Sequence, residues 1–524
     1  MQNKAENTHT DTTFSGWSGA DKDTLLSVIS QQESRIKVLE EALRLERTKR
    51  FGSSSEQSEH QEKLFDEAEQ LLAAIEETLP TEPGSSKPAK AKTGRKPFAN
   101  DLPRVPVYLD LDETDKAGAI KTFYSKVKEE LDIIPAKIRI LEYYQEKAVF
   151  AESDETEAST MKAATLPRHP LAKSMGSVQL LAHVIISKYA DGLPLHRQES
   201  ILSRYGGDIT RATLANWVIK LAHQLQPLIN LMREHQLNGD IIQMDETTVQ
   251  VLKEPGRAAT SNKYMWVSRG GPPEQPSVLF EYDPTRSQEV PLRLLDGFDG
   301  YLQADGYSGY EAVCSANPRI TLLGCWDHAR RKFKDAQSAQ PRGKQQKTTK
   351  ADMALSYINK LYVIERQIKA QTPTQKHKER QKQSLSVLNK LRQWLDNNLG
   401  KVPKDSLTGK AMTYLHNQWD KLTVYCEDGR LPISNVLTEN AIRPFVIGRK
   451  AWLFSDTPKG ARASATHYSL IETAKANNLE PHAYLTDVFK RLPYAETVEE
   501  LEQLLPWNSQ FSKNKLLNKR QGSD

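Results

Sequence analysis

Residues 241–252 read I-I-Q-M-D-E-T-T-V-Q-V-L, and the reading of this stretch decides the fold. Its apolar and β-branched residues predict a strand, and an acid, Asp245, lies within it. The grammar downstream is consistent. K-E-P-G makes a turn, Tyr264–Arg269 a second strand, G-G-P-P another turn, and Val278–Tyr282 a third strand. A helix, T-R-S-Q-E-V-P-L-R-L-L, precedes a fourth strand, Tyr301–Asp305. Ile320–Cys325 is a fifth strand and Asp327–Ala336 a helix. Three antiparallel strands, a crossover helix and further alternating strands predict a ribonuclease-H-like α/β domain. In that topology strands one and four are parallel neighbours, so Asp245 and Asp305, in G-Y-L-Q-A-D-G-Y-S-G-Y, come side by side.

A third acid, Glu439, lies in S-N-V-L-T-E-N-A-I-R-P-F, where Ser434 or Asn435 can cap a helix and Pro444 is expected to kink or end it. A strand-like A-W-L-F and a helix from Ala461 to Asn477 follow. Carboxylates gathered from distant segments suit hard divalent cations, which take oxygen ligands. Two such ions roughly 3.5–4 Å apart activate an attacking oxygen and steady a leaving one, the requirement of phosphodiester chemistry. Glu472 is a rival for the third position. Glu246 adjoins Asp245 but points to the other strand face. Glu439 is favoured because Arg443 follows at i+4, placed to hold a phosphate or orient the carboxylate. The empty cluster is expected to carry a raised pKa or to be poorly ordered until metal binds.

Composition frames these motifs. The chain has 524 residues, 38% hydrophobic and 27% charged, enough for three or four folding units. No apolar run approaches the about 18 residues of a membrane span, and M-Q-N-K-A-E-N-T-H-T lacks the apolar core of a secretory signal. Three scattered cysteines, Cys314, Cys325 and Cys426, predict a reducing compartment, and without a C-x-x-C pair no structural zinc is expected. Net charge is only +5, but the cations cluster. Arg330, Arg331, Lys332 and Lys334 begin a run that continues to Lys350, K-H-K-E-R-Q-K spans 376–382, and Arg449 and Lys450 lie in G-R-K. These are candidate phosphate contacts. His328, in C-W-D-H-A-R-R-K-F, either neighbours the active site or is a packed structural histidine.

The flanks divide as follows. Residues 1–79 hold a polar start and an amphipathic helix from Asp23 to about Arg50. Ile29, Ile36 and Leu43 recur every seven residues there, as in a coiled coil, although Glu33 and Glu40 fall at the other core position. Residues 80–104 are a basic Pro-rich linker. Residues 105–155 are a small domain whose segment 131–150 reads as two strands around a turn. Residues 156–239 are helical. There L-P-L-H-R-Q-E-S-I-L-S-R-Y, G-G-D-I and T-R-A-T-L-A-N-W-V-I-K-L-A read as helix, turn, helix, with Gly206 ending the first and Thr210 capping the second. In a helix-turn-helix, Arg211, Thr213 and Asn216 would face base edges; a plain helical hairpin fits equally. The catalytic domain is 240–337 and 431–480, interrupted by a basic helical insertion, 338–430, and followed by an appendage, 481–524.

M-D-E-T, Q-A-D-G-Y-S-G-Y, G-C-W-D-H-A-R-R-K-F and L-T-E-N-A-I-R-P-F-V-I-G-R-K-A-W-L-F are similar, in order, to motifs of the insertion-sequence-66 family of Asp-Asp-Glu transposases. K-R-F-G-S-S-S-E-Q, E-T-A-K-A-N-N-L-E-P-H-A-Y-L and L-L-P-W-N extend the resemblance over most of the chain. It implies that Asp245, Asp305 and Glu439 bind two Mg²⁺ or Mn²⁺ ions. It implies cleavage at element ends and strand transfer into target DNA. It further implies a homo-oligomer on DNA, small accessory proteins of the same element as partners, and a cytoplasmic, nucleoid-associated place in a bacterium. The competing readings are a metal-dependent nuclease on the same fold and a non-catalytic DNA-binding descendant. In one respect the chain departs from the family pattern. The cysteine zinc module expected between linker and helical region is replaced by L-D-L-D-E-T-D-K-A-G-A-I-K-T-F-Y-S-K-V, without cysteine or histidine, so no zinc is expected there.

Overall fold

The computed structural model describes residues 22–51, 104–106, 124–126, 138–150, 160–340 and 348–509. The chain forms two units, 68–140 and the remainder. The described residues of the first unit carry no helix or strand. The expected linker, most of the small domain and the cations Arg342, Lys344 and Lys347 lie outside the described residues.

The larger unit is built on a five-stranded sheet of order β5-β4-β3-β6-β7, in which β3 is Ile241–Val249, β4 Lys263–Gly270, β5 Ser277–Asp283, β6 Gly300–Gln303 and β7 Ile320–Leu323. A separate pair, β1 Lys147–Phe150 and β2 Thr160–Ala163, is antiparallel. The partner of Lys147–Phe150 is the segment at 160–163; of the earlier strand expected within 131–150, the described residues 138–146 carry no strand and 131–137 lie outside the described residues.

β3, β4 and β5 pair antiparallel, and β6 and β7 join in parallel. The expected parallel pairing of the first and fourth strands of this domain is observed, with Ile241 opposite Tyr301 and Gln243 opposite Gln303. Alternation sorts the faces. Ile242, Met244, Trp266 and Leu302 pack beneath the short helices that flank β6. Met265, Val267, Val278 and Phe280 face the long helices.

In chain order the helices are α1 Lys22–Phe51, α2 Val178–Tyr189, α3 Leu195–Arg204, α4 Arg211–Gln224, α5 Gln226–Leu237, α6 Glu289–Leu294, α7 Ser308–Ala316 and α8 Trp326–Ser338. The insertion supplies α9 Lys350–Gln367, α10 Pro373–Glu379, α11 Leu385–Asn398, α12 Leu407–Asn417 and α13 Trp419–Thr423. Then come α14 Val436–Trp452, α15 Pro458–Ala476, α16 Pro481–Arg491 and α17 Val498–Glu502.

One core joins α2, α4 and α5 to a face of the sheet, α14, α15 and the chain end, with Leu181, Leu214, Leu221, Phe280, Phe445, Tyr468, Val488 and Leu505 buried together. The helical region and, of the segment 481–524 expected as an appendage, its described residues 481–509 thus contribute to that core; 510–524 lie outside the described residues. A second core lies within the insertion and against Phe333 and Trp326 of α8. Arg380 is buried inside it, not on a basic surface. Its guanidinium donates to both Glu365 carboxylate oxygens at 2.8 and 2.7 Å and to the Tyr425 and Asp428 carbonyls.

α14 departs from expectation. It runs through Pro444 to Trp452, so Ala451 and Trp452 of A-W-L-F are helical and not strand. Proline costs a backbone bond, but Phe445 beyond it is fully buried and its ring meets Phe280, Tyr468 and Trp452. Tertiary packing outweighs the local break. The helix stops where Leu453 adopts φ 65°, and Ser455 makes one bridge to Val251. Among the described residues no helix is long and apolar enough to cross a membrane.

Candidate active site

Asp245 and Asp305 each lie two residues beyond the paired glutamines, Gln243 and Gln303, of the β3–β6 ladder. The parallel register therefore brings them to the same level of neighbouring strands. Asp305 has just left β6, and its Oδ1 accepts from the Tyr307 amide at 2.9 Å, which fixes the Asp-Gly turn. Asp245 Oδ1 accepts from the Glu246 amide at 2.8 Å. The Asp245 carboxyl is held well above the usual carboxylate range, first by burial and then by the charges of Glu246, Glu439 and Asp305. The charges of the two distant acids, Glu439 and Asp305, thus reach Asp245 through space.

Glu439, in the first turn of α14, is 1% exposed. A buried amide network carries it there. Gln243 Nε2 donates to Gln303 Oε1 at 2.6 Å and to the Ser434 carbonyl at 3.3 Å. Thr438 Oγ1 donates to Gln243 Oε1 at 3.0 Å, and Gln303 Nε2 donates to the Pro432 carbonyl at 2.9 Å. These bonds stitch the start of α14 across the ends of β3 and β6, with Glu439 next in line after Thr438. Asn435 precedes α14 but makes no side-chain cap; its Oδ1 accepts from Cys325 Sγ at 3.0 Å instead. The glutamines were missed by sequence reasoning. Their signal was a repeat, Q-M-D at 243–245 and Q-A-D at 303–305.

α8 closes the other side. Arg331 Nη2 lies 3.4 Å from Glu439 Oε2, and His328 Nδ1 lies 3.8 Å from Oε1. The His328 imidazole is pushed down to about 3 by burial and by Arg331 and Lys332, so it is neutral at physiological pH. The insertion forms a wall. A Cβ on Gly306, immediately after Asp305, would sit 2.9 Å from the Tyr414 ring of α12, and Lys332 Nζ lies 4.7 Å from that ring's centre.

The remaining candidates separate. Glu246 faces away from the cluster's helix, accepting from Tyr310 at 2.7 Å and from Arg286. Burial also raises its carboxyl. Glu472 is on the β5 side, paired with Lys475 at 2.8 Å. Arg330, expected at a DNA surface, is 3% exposed and donates to Asn359 at 3.3 Å. The face of an amphipathic helix decides this, since Arg330 falls on the same side of α8 as Trp326 and Phe333. Arg449 is clamped on β3 by the Thr248 carbonyl and by Thr247 Oγ1 at 3.3 Å. Lys332 and Lys450 are exposed, Lys334 and Arg443 half-buried. Arg211 and Asn216 are exposed on α4, far in sequence from the acids but on an ordered helix pair. Gly206, at φ 85°, ends α3, and Thr210 Oγ1 caps α4 by accepting from the Thr213 amide at 3.3 Å.

Asp245, Asp305 and Glu439 offer only oxygen donors, the kind a hard divalent cation takes, although among the described residues they are not drawn into one tight ligand group. Comparisons with known proteins agree in kind. A family model described as "Transposase IS66 family" matches residues 173–463, one described as "IS66 C-terminal element" matches 469–507, and one described as "Transposase C of IS166 homeodomain" matches 38–107. The chain is 31% identical over 503 residues to "Uncharacterized protein y4qI" of Sinorhizobium fredii (strain NBRC 101917 / NGR234), covering 92% of this chain and 91% of that protein. It is 29% identical over 426 residues to "Uncharacterized protein y4jD" of the same strain, covering 78% and 80%.

Proposed function

The chain belongs to the IS66 family of transposases, and from that premise we propose that it cleaves DNA at the ends of its element and joins those ends to target DNA. The observation that carries this reading is the coupling of Asp245 to Asp305 and Glu439 across a parallel strand pair and a docked helix. The strand order, with its antiparallel first three strands and parallel last two, supports a ribonuclease-H-like catalytic domain.

Asp245, Asp305 and Glu439 would hold divalent cations, Mg²⁺ or Mn²⁺. Such ions, once bound, supply the positive charge that activates an oxygen nucleophile and stabilises a leaving oxygen at phosphorus. The chain's own residues do the rest. The Gln243–Gln303–Thr438 network holds the third carboxylate at fixed reach from the strand ends. Arg331 neutralises Glu439, and would be placed to meet a phosphate if cations took over the charge of that carboxylate. Neutral His328 beside it can accept or donate a hydrogen bond at the scissile group without adding charge. Lys332, Lys334, Arg443 and Lys450 would position the DNA backbone, and the α3–α4 pair would read element ends through Arg211 and Asn216. α1 would pair copies of the chain on DNA through its exposed apolar row.

Mapping nicks on labelled element ends tests the reading. Wild type should cut at the element boundary with Mg²⁺ or Mn²⁺. Asp245→Ala, Asp305→Ala and Glu439→Ala should each fall to background while still binding DNA. Glu472→Ala should keep most activity. Absent cleavage by wild type in both metals, or near-normal cleavage by any of the three acid variants, defeats it.

A further inference from the structure

Cys325 takes no part in the proposed DNA cleavage, yet with His328 it meets Glu439 in space. Cys325 is the residue before α8, and His328 is three positions on, in its first turn. A ligand atom from each of Cys325, His328 and Glu439 lies within 4.8 Å of the other two. His328 Nδ1 is buried and makes no hydrogen bond. Its 3.8 Å approach to Glu439 Oε1 is too long for one. A buried ring nitrogen without a partner is an uncommon state. A cation seated among the three would satisfy it.

We propose that Cys325, His328 and Glu439 form a binding site for a thiophilic divalent cation of the zinc class, with water in the fourth position. The donors are one sulfur, one imidazole nitrogen and one carboxylate oxygen, the mixed set that tetrahedral zinc accepts. In such a site ligand atoms lie roughly 3.3–3.8 Å apart, so small side-chain movements close the cluster. Mg²⁺ requires oxygen ligands and rejects sulfur. The site therefore differs in selectivity from the oxygen-only set proposed for Asp245, Asp305 and Glu439, with which it shares Glu439. Arg331, on Oε2 of the same carboxylate, becomes the outer partner that orients it. A cation here ties the start of α8 to the first turn of α14 and pins Glu439. The absence of cysteines before Leu131 argues against zinc in that region alone, and this cluster is elsewhere. The proposal stands on the geometry of these side chains and not on the DNA reading.

Cobalt titration of the chelator-treated full chain, followed by absorption, tests it. Wild type should develop a near-ultraviolet sulfur-to-cobalt charge-transfer band with visible tetrahedral bands. Zn²⁺ should displace both; excess Mg²⁺ should not. Cys325→Ser should lose the charge-transfer band, and Cys314→Ser should keep it. His328→Gln should weaken cobalt affinity at least about tenfold, since even an outer partner is worth 10–100-fold. Zn²⁺ should raise the thermal midpoint of wild type but not of Cys325→Ser. The serine can still donate to Asn435, so the metal-free midpoints of the two should agree and show that the variant folds. No charge-transfer band in wild type, its persistence in Cys325→Ser, or displacement by Mg²⁺ as readily as by Zn²⁺ would overturn the proposal. DNA cleavage is not among these readouts, so failure here leaves the transposase reading standing.

Discussion

At the scale of the residue, the site stores unfavourable electrostatics. Asp245 is harder to ionise in the folded protein than in the unfolded chain. The folded state therefore binds more protons, and metal-free stability falls as pH rises from the ordinary aspartate value of 3.8 toward the raised one. Above the raised value the loss is complete and stability levels off. Asp245→Asn removes part of this slope, the part due to Glu246 remaining. Differential scanning at several pH values should show the variant melting above metal-free wild type at neutral pH. Mg²⁺ should raise the wild-type midpoint, more at neutral than at acid pH, and raise the variant's far less. Equal metal response in the two proteins would remove Asp245 from the cation site. Gln303 offers a different test. It is fully buried and serves Gly324, Pro432 and Gln243 at once. Gln303→Leu takes its side-chain donor from the Gly324 and Pro432 carbonyls and its acceptor from Gln243, at about 1–3 kcal/mol for each buried group left unsatisfied. The expected result is lower stability together with cleavage reduced far more than DNA binding, because Glu439 loses its anchor. A stable, fully active variant would show that the network is incidental.

At the scale of the element, α15 solves an edge problem. β5 ends the sheet, and an open edge invites pairing with another chain. Ser469 and Thr473, one turn apart on α15, cover it. Ser469 Oγ accepts from the Phe280 amide at 2.8 Å, and Thr473 Oγ1 accepts from the Val278 amide at 2.9 Å and donates to its carbonyl at 3.0 Å. Thr473→Val keeps the shape but strands both Val278 groups. Chemical denaturation should record a loss of about 1–3 kcal/mol, with a greater tendency to aggregate on refolding. No change would mean that water replaces the hydroxyl. α1 is two-sided in the same sense. Leu45 is buried, and Glu41 accepts from the Leu407 amide at 3.0 Å, so one side docks on the insertion. The other displays Ile29, Ile36, Leu39 and Leu43, each more than half exposed. A seam of this spacing fits a second copy of α1. Light scattering should find wild type oligomeric and Ile36→Glu shifted toward monomer. A monomeric wild type, or an unmoved variant, would exclude the seam.

At the scale of the whole molecule, the proposed DNA capture would divide between backbone grip and end recognition. Lys332 is exposed on the wall beside Asp305, whereas Arg330 points into the core. Lys332→Ala should weaken binding to end-containing and scrambled duplexes alike and lower the salt slope by about 0.9 per lost phosphate contact. Arg330→Ala should instead cost stability. Arg211→Ala with Asn216→Ala should reduce preference for element ends while keeping most of the salt slope. Salt titrations separate these outcomes. If Lys332→Ala lost only end preference, the basic run that starts on α8 would be the reader, and α3–α4 a structural hairpin.

Local pattern alone made legible the five strands, the turn glycine Gly206 and the Thr210 cap; that Asp245 and Asp305 come to the same level of neighbouring strands followed only from the topology those strands imply. Alternation, turn residues and caps are short-range physics, written in consecutive residues. The Q-x-D repeat was equally legible but was read as ordinary strand. The rest needed the folded chain. Pro444 signals a break, and only the burial of Phe445 beyond it shows why α14 continues. A count of cations cannot tell Arg330, Arg380 and Arg449, which are turned inward or clamped, from exposed Lys332, because helix facing depends on what packs against the helix. The meeting of Cys325 and His328 with Glu439, and of Arg331 with the same carboxylate, depends on how α14 docks across the sheet. No local propensity encodes that docking; long-range burial and the amide network do.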